Sequence, residues 1–219
     1  MLPLDFSGRQ VKSVLLLGAH CDDIEIGCGG AALYLARRYP DAAVSWVVLS
    51  SDAEREREAR ASAGLFLKGV RSASVVIKNF RNGFFPFVGA EIKDFFEQLK
   101  TQTSPDLIFT HYRNDLHQDH RVISELTWNT FRNHLILEYE IPKYDGDLGS
   151  PNFFLPLDDA TSAAKVGYIL SCFTSQKTKH WFTADTFTSL MRLRGIECNA
   201  PSGRAEAFYC RKLALNQAL

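Results

Sequence analysis

Over its first 140 residues the sequence alternates short apolar runs with longer stretches of helical periodicity. Apolar runs of this length are typical of strands that are buried on both faces. We expect five strands, at residues 12–17, 43–50, 72–78, 105–110 and 135–141. The intervening pattern predicts helices at residues 29–38, 53–68, 90–102 and 118–133. Strands that alternate with helices form a mainly parallel sheet covered on both faces, so we predict an α/β fold with three α/β/α layers.

The C-terminal part of the chain is less regular. Residues 143–156 are rich in Gly, Pro and Asp and are predicted to form a loop. Helices are expected at residues 158–171 and 183–194, and a closing strand at residues 206–213. A length of 219 residues with 46% hydrophobic content suits one core, so we predict a single domain over residues 1–219, with a core at 12–140 and a distinct part at 141–219.

Charge and composition exclude several classes of protein. Twenty-five basic residues balance 25 acidic ones, which argues against binding to nucleic acid or to an anionic membrane. The apolar run Val14–Leu17 is too short for a signal peptide, and no run approaches the roughly 18 residues of a membrane span, so we expect a cytoplasmic protein. The five cysteines are odd in number and scattered, which argues against a disulfide framework or a cysteine-built zinc site.

Histidines and aspartates cluster at two places, directly after the first and the fourth predicted strands. Four of the six histidines of the chain lie in these two segments. The first cluster contains His20, Asp22 and Asp23, and the second contains His111, His117, Asp119 and His120. In open α/β sheets, ligands bind beyond the carboxyl ends of the strands. The two clusters are therefore expected to meet and to carry the chemistry of the protein.

The spacing of these residues predicts a metal site. A catalytic zinc ion takes three protein ligands and leaves a fourth position for water. His20 and Asp23 are three residues apart, and His120 would lie on the first turn of a helix. We therefore predict His20, Asp23 and His120 as ligands of one zinc ion per chain, or of another divalent metal in its place. Asp22 would lie beside the metal without binding it, where a carboxylate is well placed as general base.

Two residues of the second cluster remain for other roles. As an imidazolium, His117 would stabilise an oxyanion or protonate a leaving amine. Asp119 lies between two histidines and is expected to orient one of them. Taken alone, His20 is more simply a structural histidine, and His111 a residue that caps the fourth strand. The joint pattern of H-x-D-D and H-x-D-H favours a shared metal site.

A nucleotide site is the main alternative. Residues 27–32 match G-x-G-x-x-A, and Asp52 follows about 20 residues later, as in dinucleotide-binding folds. However, the glycines do not follow the strand directly, and Asp22, Asp23 and Glu25 would place negative charge beside a pyrophosphate. We interpret Gly27–Gly30 as glycines that allow close helix packing.

The two clusters resemble the motifs of a known family. Residues 18–30, GAHCDDIEIGCGG, resemble the A-H-P-D-D…G-x-G-G signature of the PIG-L/LmbE-like deacetylases, and residues 117–120, HQDH, resemble that family's H-P-D-H element. These are zinc-dependent enzymes with a Rossmann-like fold that remove N-acetyl groups, mostly from conjugates of N-acetylglucosamine. The resemblance covers about residues 12–140, and the C-terminal part is variable in the family.

The resemblance implies the same ligand set, His20, Asp23 and His120, and the same general base, Asp22. It also implies that His117 assists the tetrahedral intermediate with Asp119 as its partner.

Arg55 matches the arginine of an R-x-x-E element that faces the substrate, although a charged helix face explains this run equally well. Cys21 and Gln118 replace two prolines of the motifs, and we interpret Cys21 as a spectator thiol.

The expected reaction is hydrolysis of an acetamide on an N-acetylated amino sugar or its conjugate. A non-catalytic sugar-binding module is a second alternative. Residues 80–88 and 139–154 are candidates for the pocket walls, with Phe84, Phe85 and Phe87 either stacking on a ligand or anchoring a loop. The sequence leaves the oligomeric state open, and a homo-oligomer is compatible with it.

Overall fold

The computed structural model describes residues 11–214, which form one seven-stranded sheet with helices on both faces. The strands are β1 (Ser13–Gly18), β2 (Ala43–Val48), β3 (Ser72–Ile77), β4 (Leu107–His111), β5 (Leu135–Tyr139), β6 (Phe153–Pro156) and β7 (Ala205–Cys210). The helices are α1 (Asp23–Arg38), α2 (Ala53–Phe66), α3 (Gly89–Gln102), α4 (Gln118–Thr130), α5 (Asp159–Cys172) and α6 (Ala184–Glu197). Two short 3₁₀ turns lie at Phe85–Phe87 and Thr174–Gln176.

The strand order places the two predicted clusters side by side. The sheet runs β3-β2-β1-β4-β5-β7-β6. Strands β1 to β5 are parallel, and β7 and β6 complete the sheet as antiparallel strands. The order reverses between β1 and β4, so the loops after these two strands face a common crevice. The predicted three-layer α/β fold is confirmed.

The core consists of two layers, one on each face of the sheet. Val14 and Leu16 of β1 pack in the layer formed with α1, α2, α5 and α6, whereas Leu15 and Leu17 pack in the layer formed with α3 and α4. This alternation is what a strand buried on both faces requires. No helix among residues 11–214 is both long and apolar enough to cross a membrane.

Two boundaries differ from the predictions. Helix α1 begins at Asp23, not at residue 29, and has a kink at Cys28, where φ is −142°. The predicted loop at residues 143–156 ends in β6, a four-residue edge strand that pairs only with β7 among the described strands. The other strands and helices start and end within three residues of the predicted positions.

Candidate metal centre and active site

The end of β1 and the start of α4 bring the predicted residues together. His20 and Asp22 lie in the turn after β1, and Asp23 is the first residue of α1. His117 is the N-cap of α4 and His120 lies in its first turn. All of these side chains except His117, which is half-buried, are nearly inaccessible to solvent.

The three predicted ligands have the geometry of one face of a tetrahedral site. His20 Nδ1 is 3.1 Å from His120 Nε2 and 3.3 Å from Asp23 Oδ2, and His120 Nε2 is 3.5 Å from the same oxygen. A tetrahedral zinc ion with ligands about 2.0–2.1 Å away separates its ligand atoms by about 3.4 Å. The donor set therefore fits one divalent cation of the type predicted.

Each of the two histidines predicted as ligands has a carboxylate beside its other ring nitrogen. His20 Nε2 is 3.2 Å from Asp119 Oδ2, and His120 Nδ1 is 2.9 Å from Asp115 Oδ2. A carboxylate in this position fixes the tautomer and the ring orientation of a metal-binding histidine. Both histidines thus present their remaining nitrogen to the site.

These two carboxylates are themselves held in place. Asp119 accepts hydrogen bonds from the backbone amides of Gly83 and Phe85, at 2.7 and 3.1 Å. Asp115 accepts one from the amide of His117 at 2.8 Å, and its other oxygen lies 3.0 Å from Lys143 Nζ. The expected pairing of Asp119 with His117 is wrong for the side chain, because the carboxylate of Asp119 faces His20 and only its backbone amide reaches His117.

His111, at the end of β4, is a residue whose role the sequence did not indicate. Its side chain is fully buried, is stacked on His120 with ring centroids 3.9 Å apart, and places Nε2 3.2 Å from Asp23 Oδ2. Two groups of three side chains in this cluster have ligand-type atoms within 4.8 Å of one another. One is His20, His117 and His120, and the other is Asp23, His111 and His120. Nε2 of His111 also accepts a hydrogen bond from the amide of Ala19 at 2.9 Å, so His111 joins the end of β4 to the loop after β1 beside Asp23. The one sequence signal for it was its membership in the histidine cluster.

The protonation states of the site suit a cation. Burial alone would raise the pKa of Asp23, but the facing imidazoles of His120, His111 and His20 hold it well below its usual range. Burial and the neighbouring His111 lower the pKa of His120 to about 3. Burial would also lower the pKa of His20, but Asp23 and Asp119 raise it to about 9. Asp23 and His120 are therefore in their ligand forms at neutral pH, and a cation would displace a proton from His20.

Asp22 lies beside this cluster and is paired with Arg55. Its Oδ1 is 2.6 Å from Arg55 Nη2, and both side chains are largely buried. Arg55 was predicted to face the substrate; in the structure its guanidinium is paired with the carboxylate of Asp22 and orients it. Both residues line the same cavity as the three predicted ligands.

His117 differs from the prediction in its charge. Its Nδ1 accepts a hydrogen bond from the amide of Asp119 at 3.2 Å, so the ring proton resides on Nε2. Burial and the neighbouring His20 lower the pKa of His117. It is therefore a neutral imidazole at pH 7 and not the predicted imidazolium, but it still has an N–H to donate.

The cavity above these residues has a volume of about 190 Å³ and opens to solvent. Its walls come from three segments of the chain, and the wall residues are Asn82, Ile141, Lys143, Tyr144, Asp145, Lys179 and Trp181. Residues 139–154 were predicted as a wall, whereas Lys179 and Trp181 were not.

The aromatic side chains of residues 80–88 serve mainly to anchor this loop. Phe85 is fully buried and packs with Phe80, their ring centroids 6.4 Å apart. Phe84 and Phe87 are exposed and, among the described residues, Asn82 is the one member of this loop that lines the cavity. The loop therefore positions Asp119 through the Gly83 and Phe85 amides and does not supply an aromatic wall.

In the structure, the glycine-rich segment that suggested a nucleotide site is already in contact with other parts of the protein. The amides of Gly30 and Ala31, exposed by the kink in α1, donate to the buried carboxylate of Glu206 at 2.6 and 2.7 Å. Lys165 neutralises Glu206 at 2.6 Å. A Cβ on Gly27 would lie 2.0 Å from the ring of Tyr139, so this glycine serves close packing. These amides are not available to a pyrophosphate.

The thiol of Cys21 faces Ser50 and not the His/Asp cluster. It is buried and donates to the carbonyl of Ser50 at 3.4 Å. Burial raises the pKa of Cys21 to about 12, so the thiol stays protonated. This agrees with its interpretation as a spectator.

The fold is shared with several solved structures of low sequence identity. N,N′-diacetylchitobiose deacetylase from Pyrococcus horikoshii has a TM-score of 0.64 at 20% identity, over 94% of this chain and 86% of that one. The teicoplanin deacetylase Orf2, in a zinc-inhibited form, has a TM-score of 0.69 at 12% identity, over 90% and 97%. The 4-carboxy-2-hydroxymuconate hydratase GalB from Pseudomonas putida KT2440 has a TM-score of 0.67 at 18% identity, over 95% and 99%.

Sequence comparison gives the family. No curated protein matches the chain significantly. A family model, PIG-L, described as GlcNAc-PI de-N-acetylase, matches residues 15–131, which is more than half of the chain and includes both histidine clusters. This chain belongs to the PIG-L family.

Proposed function

We propose that this protein is a zinc-dependent hydrolase that removes an N-acetyl group from an N-acetylated amino sugar or its conjugate. The observation that carries the proposal is the set of ligand-type atoms of His20, Asp23 and His120, 3.1–3.5 Å apart, with the carboxylate of Asp22 in the same cavity. The family model and the deacetylases of the same fold support the reaction type.

The fold alone does not select this reaction, since the hydratase GalB shares it. The proposal therefore rests on the side chains of the site. His20, Asp23 and His120 would hold the ion, with Asp119 and Asp115 orienting the two imidazoles. When bound, the ion supplies Lewis acidity, which polarises the acetyl carbonyl and acidifies the attacking water.

The proton transfers are assigned to residues of this chain. Asp22 accepts a proton from the attacking water as the new bond to the acetyl carbon forms. The carbon–nitrogen bond then breaks, and Asp22 returns the proton to the departing amine, so that the products are acetate and the free amino sugar. Arg55, 2.6 Å from Asp22, keeps that carboxylate aimed into the cavity.

His117 is assigned to the developing negative charge. Its Nδ1 is occupied by the amide of Asp119, which leaves the Nε2–H free to donate to the carbonyl oxygen. A neutral donor that is already in place stabilises an oxyanion without reorganisation.

The direct test is acetate release by the protein loaded with zinc. We expect release from at least one of N-acetylglucosamine, N,N′-diacetylchitobiose and UDP-N-acetylglucosamine, and we expect a chelator to abolish it. Asp22→Ala should lower turnover about 10²- to 10⁴-fold, the usual contribution of a general base, while the variant keeps its metal. Asp94→Ala, an exposed aspartate of α3, is the matched control and should retain wild-type turnover.

Each assignment has its own contrary result. Full turnover by Asp22→Ala with metal bound would show that another group is the base. No acetate from any of the three sugars, with zinc bound to the protein, would show that the reaction is wrong. Sugar binding without acetate release would instead identify a non-catalytic sugar-binding module.

A further inference from the structure

Two segments outside the family match form one wall of the cavity. Lys143, Tyr144 and Asp145 follow β5, and Lys179 and Trp181 follow α5. Tyr144 links the segments through His180, with its Oη 3.3 Å from His180 Nδ1 and the two rings 5.2 Å apart. The wall is therefore a single structure built from both segments.

Buried polar contacts hold the first segment in position. Arg194 of α6 binds Glu140 through two nitrogens, at 2.8 and 2.9 Å, and also the carbonyl of Gly149 at 3.0 Å. Tyr209 of β7 donates to Glu140 at 2.9 Å. A bidentate arginine–carboxylate pair of this kind is geometrically specific. It fixes both ends of the stretch that contains Tyr144 and Asp145.

Hydrogen bonds to Glu58 of α2 hold the second segment. Its carboxylate accepts bonds from the amide and the hydroxyl of Ser175, at 2.8 and 2.6 Å, and from the hydroxyl of Thr174 at 3.0 Å. Trp181 then packs edge-on against buried Phe182, with centroids 5.6 Å apart, and Lys179 Nζ lies 5.5 Å from its ring centroid. A wall held in this way loses little conformational entropy when a ligand binds.

The chemistry of the wall suits a sugar ring. Trp181 lines the cavity that also contains the proposed catalytic groups, and its side chain is partly exposed there. Tyr144, on the same wall, is 69% exposed. An indole offers a wide apolar face, which matches the C–H face of a pyranose. Asp145 and Asn82, on the same cavity, offer carboxylate and amide groups that can pair with the hydroxyls around the ring edge.

We propose that Trp181 is the platform on which the pyranose ring of the substrate stacks, with Asp145 and Asn82 as partners of its hydroxyls. The preferred substrate is then an acetamido pyranoside and not an acyclic acetamide. This inference rests on the proposed function for the reaction, but the binding itself requires no turnover.

Steady-state kinetics test the specificity. Trp181→Ala should raise KM for the best N-acetyl sugar about 2- to 10-fold, the range expected for loss of one stacked ring, with kcat changed less than about twofold. Activity on N-acetylethanolamine, which has no ring, should be unaffected. Trp181→Phe should recover part of the loss. Tyr34→Ala removes an exposed aromatic on α1 that is not among the residues lining this cavity. It should leave KM and kcat unchanged for both substrates.

Tryptophan fluorescence gives a readout independent of activity. Titration with glucosamine, the expected type of product, should change the emission of the wild type, and Trp181→Phe should remove this change although Trp46 and Trp128 remain. An unchanged KM in Trp181→Ala, or a sugar-induced signal that persists in Trp181→Phe, would overturn the platform. A wild type whose Trp181 signal responds to sugar but which releases no acetate would support the platform and contradict the proposed reaction.

Discussion

His20 and His120 each divide their two ring nitrogens between two tasks. One nitrogen of each ring points to the shared site, and the other meets a buried carboxylate at 3.2 Å in His20 and 2.9 Å in His120. A cation that binds here therefore finds both rings already oriented, and it has to displace a proton only from His20. Metal affinity should then depend on Asp119 and Asp115 although neither carboxylate belongs to the predicted ligand set.

Removing the charge of Asp115 tests this dependence. Asp115→Asn should weaken zinc binding about 10- to 100-fold, the usual effect of losing a carboxylate behind a ligand histidine. The measurement is a competition titration against a chromophoric chelator. Asp94→Asn, a change on the exposed face of α3, should bind zinc like the wild type. Equal affinity in all three proteins would contradict the orienting role.

Spacing alone was sufficient to predict that His20 lies close to Asp23 and that His117 lies close to His120, because the ends of H-x-x-D or H-x-x-H meet whenever a turn or a helix begins there. It could not show which carboxylate meets which ring. His20 and Asp119 are 99 residues apart in the chain, so their contact depends on the pairing of β1 with β4. For the same reason the sequence did not indicate that His111 contacts Asp23, nor that Trp181 lines the cavity.

At the scale of elements, the predicted boundaries hold where the hydrophobic pattern is long. The pattern does not locate the start of α1, because Asp23, Glu25 and Gly27 are uncommon in the buried face of a helix. Here they are buried beside the His/Asp cluster and against Tyr139. Strand β6 was missed because it is a short edge strand that ends in proline, and its pairing with β7 joins residues about 50 positions apart.

The hydrogen bonds between Glu58 of α2 and the turn after α5 provide a test at this scale. Glu58→Gln should lower the free energy of unfolding by about 1–3 kcal/mol, because the carboxylate accepts three hydrogen bonds from Thr174 and Ser175. Glu56→Gln, two residues away, breaks only an exposed pair with Arg60 and should cost less than about 0.5 kcal/mol. Urea unfolding measures both.

The pH dependence of these hydrogen bonds has a definite sign. Burial would raise the pKa of Glu58, but the hydrogen bonds from Ser175 and Thr174 lower it below 4.5. The contribution of the Glu58 carboxylate to the free energy of unfolding is therefore complete above pH 4.5. It disappears as the pH falls through the lowered pKa. The difference between the wild type and Glu58→Gln should shrink in acid. A difference that stays constant between pH 7 and about 3 would contradict this account.

At the scale of the whole molecule, the site exists because one sheet reverses its strand order. The half that begins with β1 supplies His20, Asp22 and Asp23, and the half that begins with β4 supplies His117 and His120. The family match covers this common part, whereas the wall with Trp181 comes from the rest of the chain. In the proposed function, catalytic chemistry and substrate choice are thus assigned to different parts of the protein.

In the proposed function, these two halves of the sheet hold one metal ion between them. The most direct test is metal content by plasma mass spectrometry after reconstitution with zinc and removal of free ion, for the wild type, His120→Ala and His134→Ala. We predict roughly one zinc per chain in the wild type and in His134→Ala, and almost none in His120→Ala. A wild type without zinc, or a His120→Ala variant that retains a full equivalent, would contradict the account.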